Sequence, residues 1–236
     1  MTEAPGELWV VRLGRLPYRE AVALQEEIRP ARQADAVPDV LLLLEHDPVY
    51  TKGRRTESSD LPMGEQWYMS QGIDVADSDR GGRVTYHGPG QLVGYPIMRV
   101  RDVYGYVHGL ESAMICALAD EGIEAETREG LTGVWAGERK IGAIGVRVSR
   151  GVTTHGFAVN VENDLQPFAW VVACGGDGAR ATSVYLETRR TGMMPCFSKR
   201  VAWRTADTFG LRQRLVSPAR LAAALNGVPE LATVPA

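Results

Sequence analysis

The sequence predicts an α+β protein, with a mixed, largely antiparallel sheet flanked by helices. Two observations carry this expectation. From Gly133 to Val161, β-forming stretches follow one another with only short turns between them, a meander rather than a strand–helix–strand alternation. Helical spacing is confined to stretches before and after that meander. The 236 residues, 44% of them apolar, show no internal repeat and no low-complexity linker. A chain of this size can bury a large core, so one domain over 1–236 is expected, with its core at about 8–215.

Taken in order, Leu8 to Leu13 reads as a first strand. Residues 17–29 have helical spacing, with Ala21, Leu24 and Ile28 on one face; Pro30 should end or kink that helix. Val40 to Leu44 is an unbroken apolar run between Asp39 and Glu45, the pattern of a buried strand. Lys52 to Met69 is polar and aperiodic and reads as a long loop. Asp79 to Gly94 is glycine-rich with embedded β-formers. Val103 to Glu121 is the strongest helix: Val103, Val107, Leu110, Met114 and Ala117 share a face, and Gly122 follows as a C-cap. Val134–Ala136, Lys140–Val148 and Val152–Val161 read as strands, separated by hairpin turns at Gly137-Glu138 and Arg150-Gly151. The chain becomes irregular from Pro167, around Cys174, and ends in helices over about Lys199–Phe209 and Pro218–Leu225.

Composition excludes several classes. A net charge of −3 lacks the clustered positive charge that a nucleic-acid partner needs. The three cysteines, 116, 174 and 196, cannot form a closed disulfide framework. The longest apolar runs, 113–119 and 168–174, are far too short to span a membrane. The N-terminus MTEAPGELWV has neither a basic region nor a long apolar one, so no signal peptide is expected and the compartment is read as cytoplasmic. No C-x-x-C, H-x-x-x-H or H-E-x-x-H pattern occurs, so neither a metal site nor a cofactor is expected.

Four segments have the residue types of a reactive site. Arg80, Gly81, Gly82, Arg83, Val84, Thr85, Tyr86 and His87, continuing into Gly88-Pro89-Gly90-Gln91, interleave glycines with directional polar groups. That suits close approach of backbone to a ligand; the alternative is a pair of tight turns around a short strand. In Lys140 to Val148, alternation puts Lys140 with Gly142, Ile144, Val146 and Val148 on one otherwise apolar face. Such a lysine either snorkels out to water or is held partly desolvated, where it becomes a usable base. In His155-Gly156-Phe157-Ala158, the small residues Gly156 and Ala158 leave space across one face, while His155 takes the parity of Phe157 and Val159. In Ala173-Cys174-Gly175-Gly176, the glycines can present backbone N–H groups beside the sulfur; the alternative is a buried cysteine ending an apolar strand. Cys116 and Cys196 read as packing residues.

These strings, in this order, resemble the lipoyl(octanoyl) transferases of protein lipoylation. The likeness runs over about 8–215 and rests on LLLLEHDPVYTKGR (41–54), RGGRVTYHGPGQLVGYPI (80–97), TGVW (132–135), KIGAIGVRV (140–148), HGFAVNV (155–161) and ACGGDGARATSV (173–184). The resemblance implies a single catalytic domain with the fold of the lipoate and biotin protein ligase catalytic domains. It implies an octanoyltransferase with a Cys/Lys dyad. Cys174 matches the acyl-thioester nucleophile; Lys140 matches the lysine that lowers the thiol's pKa and serves as acid and base. Substrate would be bound by Arg80 to His87, by Ala143, Ile144 and Gly145, and by Gly156, Phe157 and Ala158. The implied donor is octanoyl-acyl carrier protein. The implied acceptors are lipoyl domains of 2-oxoacid dehydrogenase complexes and the glycine cleavage H protein. Departures stand at Gly142, Ala173 and Gly176, where the family more often has alanine, proline and an apolar residue. An ATP-dependent ligase of the same fold and a non-catalytic carrier-binding module are the alternatives. Gly142, Gly145, Gly156 and Ala158 suggest a narrow acyl slot, so that enlarging Gly145 should shorten the preferred chain. Arg54, Arg55, Arg80 and Arg83 form a basic cluster suited to an acidic carrier.

Overall fold

The computed structural model describes residues 6–172 and 180–226. Strand β1 (Glu7–Leu16) leads into helix α1 (Tyr18–Gln33) and strands β2 (Asp39–His46) and β3 (Val49–Lys52). A 3-10 turn (Ser58–Asp60), a short helix α2 (Glu65–Ser70) and strands β4 (Asp74–Asp77), β5 (Val84–His87) and β6 (Gln91–Ile97) follow. Helix α3 (Val103–Ala119) precedes a meander of β7 (Glu126–Arg128), β8 (Leu131–Ala136), β9 (Arg139–Ser149) and β10 (Val152–Asn160). A 3-10 segment (Gln166–Trp170), helices α4 (Val184–Thr188) and α5 (Met194–Thr208), strand β11 (Arg212–Leu215) and helix α6 (Pro218–Asn226) complete it.

The main sheet has eight strands in the order β11-β1-β2-β6-β10-β9-β8-β7, parallel only where β1 meets β11 and β2. The largely antiparallel α+β expectation therefore holds. A second sheet, β4-β3-β5, stands beside it. On one face of the main sheet, Leu110 and Met114 of α3 and Phe197 and Val201 of α5 pack on Ile141, Phe157 and Val159. On the other face, Ala21 and Ile28 of α1 and Leu221 of α6 cover Val40, Leu42 and Val93. The small sheet has its own aromatic core of Tyr50, Tyr68 and Tyr86, and the backbone leading into it meets β9 where the Gly81 N–H donates to the Val146 carbonyl.

Helix α3 starts where Asp102 accepts the Tyr104 backbone N–H at 3.0 Å and stops ahead of Gly122, whose φ of +82° only glycine adopts easily. The turn at Arg150-Gly151 has positive φ at both residues, +48° and +74°, as a two-residue hairpin of this twist requires. Pro30 does not end α1. The helix runs on to Gln33, its last turn held by buried Ala31 and by Arg32, which donates to Asp39 at 2.6 Å and to Asp35 at 2.5 Å. The stretch 52–69, expected as loop, contains the 3-10 turn and most of α2. Helix α5 starts at Met194, earlier than expected, with Pro195 in its first turn, where the missing N–H costs nothing.

Candidate active site

The floor of the site is the β9–β10 hairpin. Gly145 lies opposite Gly156 and Ala143 opposite Ala158, so these four positions share one face. The side chains of Phe157 and Ile144, which also pair, point to the α3 side. Strand β9 is bulged at its start: Lys140 pairs with Trp135 and Gly142 with Val134, which leaves Ile141 as the extra residue. The bulge reverses the alternation. Lys140 therefore shares its face with Ala143 and Gly145, and not with Gly142, Ile144, Val146 and Val148. Gly142 stands on the α3 side, where an added Cβ would meet Met114 at 3.2 Å and Val134 at 3.3 Å. Its missing side chain therefore makes room for Met114, although its backbone lines the cavity.

Lys140 Nζ lies 4.9 Å from the centre of the Trp135 ring and donates to the Thr132 carbonyl at 3.1 Å. Its main chain is paired to residues 180–182. The Lys140 N–H donates to the Arg180 carbonyl at 2.8 Å, and the Thr182 N–H donates to the Lys140 carbonyl at 2.9 Å. Cys174 itself lies outside the described residues. Cys116 and Cys196 are free thiols; Cys196 is exposed, so it is not the packing residue expected.

The glycine-rich segment forms the opposite wall. The Arg80 guanidinium is buried and bonds Thr51 through both its carbonyl, at 2.6 Å, and its hydroxyl, at 2.8 Å. Gly81 N–H donates to the Val146 carbonyl at 3.0 Å, which lays the Arg80–Gly81 backbone across β9. A Cβ on Gly145 would stand 2.9 Å from the Gly81 oxygen, so the space that this glycine leaves is already filled. Gly156 is similar: a Cβ there would overlap the Gly94 carbonyl and Pro96. Arg83 makes a two-pronged ion pair with Asp60, whose carboxylate is fully buried. Tyr86 turns away into the small sheet's core against Tyr50 and Phe168. The other substrate-binding candidates (Arg80 to Thr85, His87, Ala143, Ile144, Gly145, Gly156, Phe157 and Ala158) line one cavity of about 1300 Å³ together with Lys140. Val172 and Arg180, on either side of residues 173–179, line it too. Of the basic cluster, Arg54 and Arg55 are exposed, whereas Arg80 is not.

At its inner end the cavity meets a buried polar cluster. His87 donates from Nδ1 to Gln91 Oε1 at 2.7 Å, and burial pushes its pKa down to about 3, so it is neutral. His46 donates from Nδ1 to the Leu16 carbonyl at 2.8 Å and accepts from the Tyr95 hydroxyl at 2.7 Å; burial lowers its pKa as well. His155 departs from the expected parity. Pro96 on β6 has no N–H to pair with β10, and His155 takes a φ of +57°, which sends its N–H to Gln25 Oε1 at 2.6 Å. Its ring bonds Asp79 at 2.7 Å. Burial lowers the His155 pKa, and the Asp79 carboxylate opposes that.

Two further carboxylates hold backbone of the site; Glu45 lies in the 41–54 string, Glu111 in none of the motifs. Glu45 accepts the Gly90 N–H at 2.7 Å and fixes the Gly-Pro-Gly turn. Glu111, on α3, accepts the Gly133 N–H at 2.9 Å although its carboxylate is almost wholly buried. An acidic residue directly after Leu110 of the helix's apolar face was the available signal. Among the described residues no group of three or more His, Cys, Asp or Glu side chains is placed to hold a metal ion. No described helix is long and apolar enough to cross a membrane.

The model of the lipoyl protein ligase A/B catalytic domain matches residues 17–201. The chain is 45% identical to the octanoyltransferase of Mycolicibacterium smegmatis over 84% of its own length and 87% of that protein. It is 51% identical to the octanoyltransferase of Solibacter usitatus over 70% of its length and 76% of that protein. In fold it is similar to a lipoate-protein ligase A bound with ATP, with a TM-score of 0.76 at 17% identity over 94% of this chain and 93% of the other. The biotin protein ligase of Aquifex aeolicus with biotin and ATP is more distant, with a TM-score of 0.50 at 13% identity over 86% and 70% of the two chains. By its matched residues and its close relatives, the chain belongs to the lipoyl protein ligase A/B catalytic-domain family and, within it, to the octanoyltransferases.

Proposed function

We propose that this octanoyltransferase moves an octanoyl group from acyl carrier protein to a lysine of a lipoyl domain through a thioester on Cys174, with Lys140 as acid and base. The acceptors are lipoyl domains of 2-oxoacid dehydrogenase complexes and the glycine cleavage H protein. The observation that carries the reading is the position of Lys140. It stands on the cavity face of β9, and its backbone is bonded to Arg180 and Thr182, a few residues after Cys174 in the sequence. About five residues of strand, roughly 15 Å, separate Lys140 from the point where Gly81 crosses at Gly145. That length of floor, with Ala143 and Ala158 along it, suits a medium acyl chain.

In the first half-reaction the Cys174 thiol gives its proton to Lys140 and the thiolate attacks the acyl carbon. The bond to the carrier sulfur breaks, and the carrier thiol takes the proton from the Lys140 ammonium. One thioester replaces another, so the step is close to isoenergetic. In the second half-reaction the acceptor lysine attacks the acyl-enzyme, Lys140 removes its proton, and the Cys174 sulfur leaves. An amide replaces a thioester, so this step runs downhill without ATP. Neutral His87 adds no charge to the cavity's inner end.

Incubation with octanoyl carrier protein, followed by intact-mass measurement, tests the reading. One octanoyl group should appear on the protein and be absent from Cys174→Ala. Pyrophosphate exchange with free octanoate would instead favour a ligase; carrier binding with neither adduct nor transfer would favour a binding module.

A further inference from the structure

The Thr132–Gly133 peptide has a buried carboxylate at one end and Lys140 at the other. Its carbonyl, on Thr132, accepts from Lys140 Nζ at 3.1 Å. Its N–H, on Gly133, donates to Glu111 Oε1 at 2.9 Å. The Glu111 side chain is only 4% exposed, and its other oxygen lies 2.9 Å from Nδ1 of half-exposed His108, one turn back on α3. Only glycine fits at 133: its φ is +134°, and a Cβ there would stand 2.6 Å from the Gly142 carbonyl and 2.7 Å from Lys140 Cε.

Burying a carboxylate is costly unless its bonds repay the loss of water. Here the hydrogen bond of Oε1 falls on a peptide group that also receives the lysine, while buried Oε2 has no hydrogen-bond partner among the described residues. A carboxylate accepting from the N–H draws charge toward the carbonyl oxygen of the same peptide and makes it a stronger acceptor. We infer that Glu111 is a positioning residue: acting through the Thr132–Gly133 peptide, it fixes the Lys140 ammonium and favours its charged form. This rests on the role proposed for Lys140 and adds to it a residue that touches neither substrate nor thiol. Among the described residues, Arg128 faces the same Trp135 ring at 5.8 Å and pairs with Glu138, and the Arg180 carbonyl accepts from the Lys140 N–H. Glu111 is the carboxylate that the Thr132–Gly133 peptide joins to Lys140.

The test is the pH dependence of alkylation of Cys174 by iodoacetamide, with single-turnover rates alongside, in Glu111→Ala, Glu111→Asp, Glu111→Gln and Lys140→Ala. An ammonium beside a thiolate lowers the thiol's apparent pKa by about 1–3 units, so Lys140→Ala should raise the midpoint by that much. Glu111→Ala should raise it by about one unit and lower the single-turnover rate about tenfold, with the KM for octanoyl carrier within twofold. Glu111→Asp withdraws the carboxylate by one methylene and should resemble Glu111→Ala. Glu111→Gln keeps an oxygen for the Gly133 N–H and should fall between these and the parent. If Glu111→Ala fails to fold, Glu111→Asp decides. A raised midpoint in Lys140→Ala beside parental profiles in the Glu111 variants overturns the positioning role alone. A parental profile in Lys140→Ala overturns the dyad, and the positioning role with it.

Discussion

Replacing Gly145 by alanine separates two accounts of the acyl slot. If this glycine leaves room for substrate, a methyl there shortens the chain that fits. If it leaves room for protein, a methyl disturbs the wall. The distances favour the second: the added carbon would stand 2.9 Å from the Gly81 oxygen and 3.0 Å from Arg80 Cδ. Neither neighbour retreats freely, since Gly81 is tied to Val146 at 3.0 Å and the Arg80 guanidinium to Thr51. Overpacking of this kind costs about 1–3 kcal/mol, and loss of the Gly81–Val146 bond about 1 kcal/mol more. A total of about 2–4 kcal/mol lowers the Tm of a chain this long by roughly 4–16 °C. Calorimetry, with transfer rates from hexanoyl, octanoyl and decanoyl carriers, reads both effects. The expected result is a lowered Tm and a loss of rate for all three chains. A parental Tm with preference moved to hexanoyl would refute the packing argument and restore Gly145 as part of the slot.

Ala143, which shares the open face with Lys140, is the better place to shorten the slot. Ala143→Leu should disfavour octanoyl against hexanoyl by about 1.6 kcal/mol, two methylenes at about 0.8 each, or roughly 15-fold in relative kcat/KM; an unchanged ratio would remove Ala143 from the chain's path. Arg83→Ala would strand the buried Asp60 carboxylate and should cost about 2–3 kcal/mol, less than a fully buried pair because Arg83 is about a third exposed; denaturant melts would show it. His87 titrates near 3 when folded and near 6.5 when unfolded, so between these values the unfolded chain binds the extra proton. Stability should therefore be full above about pH 6.5 and fall with acidification, by up to about 1.4 kcal/mol per pH unit for this group, with His46 and His155 adding in the same direction. A Tm constant from pH 7 to pH 5 would contradict the neutral cluster. Reversing charge at exposed Arg54 and Arg55 should raise the KM for octanoyl carrier at low salt and leave the chemical step alone; an unchanged KM would take them out of carrier docking.

The strands and helices with their own periodicity were legible: the meander, α3, and the apolar run of β2. What escaped depends on partners distant in sequence. Strand β11 reads Arg-Gln-Arg-Leu and has no apolar stripe; it forms because β1 offers an edge and Glu7 pairs with Arg212 and Arg214. Helix α2 is too short to show a period. The site was legible as strings but not as faces. A bulge at Ile141 moved Lys140 from the apolar face to the cavity face, and Pro96, remote in sequence, turned His155 out of its strand's alternation. Neither a bulge nor a lost cross-strand donor can be read from the strand that suffers it. The glycines stand out in the sequence, but a side chain at Gly142, Gly145 or Gly156 would meet Met114, Gly81 or Gly94, so their missing side chains make room for protein while their backbones line the cavity. Glu111 belongs to no motif and becomes visible only when α3 is laid against β8.

The most direct test of the central claim is a single mass spectrum. The protein is incubated with octanoyl carrier protein, without acceptor, and its intact mass recorded for the parent, Cys174→Ala and Lys140→Ala. The account predicts one octanoyl group on the parent, chased onto added lipoyl domain; none on Cys174→Ala; and slow, incomplete loading of Lys140→Ala. An octanoyl adduct persisting in Cys174→Ala, or full transfer by that variant, would contradict it.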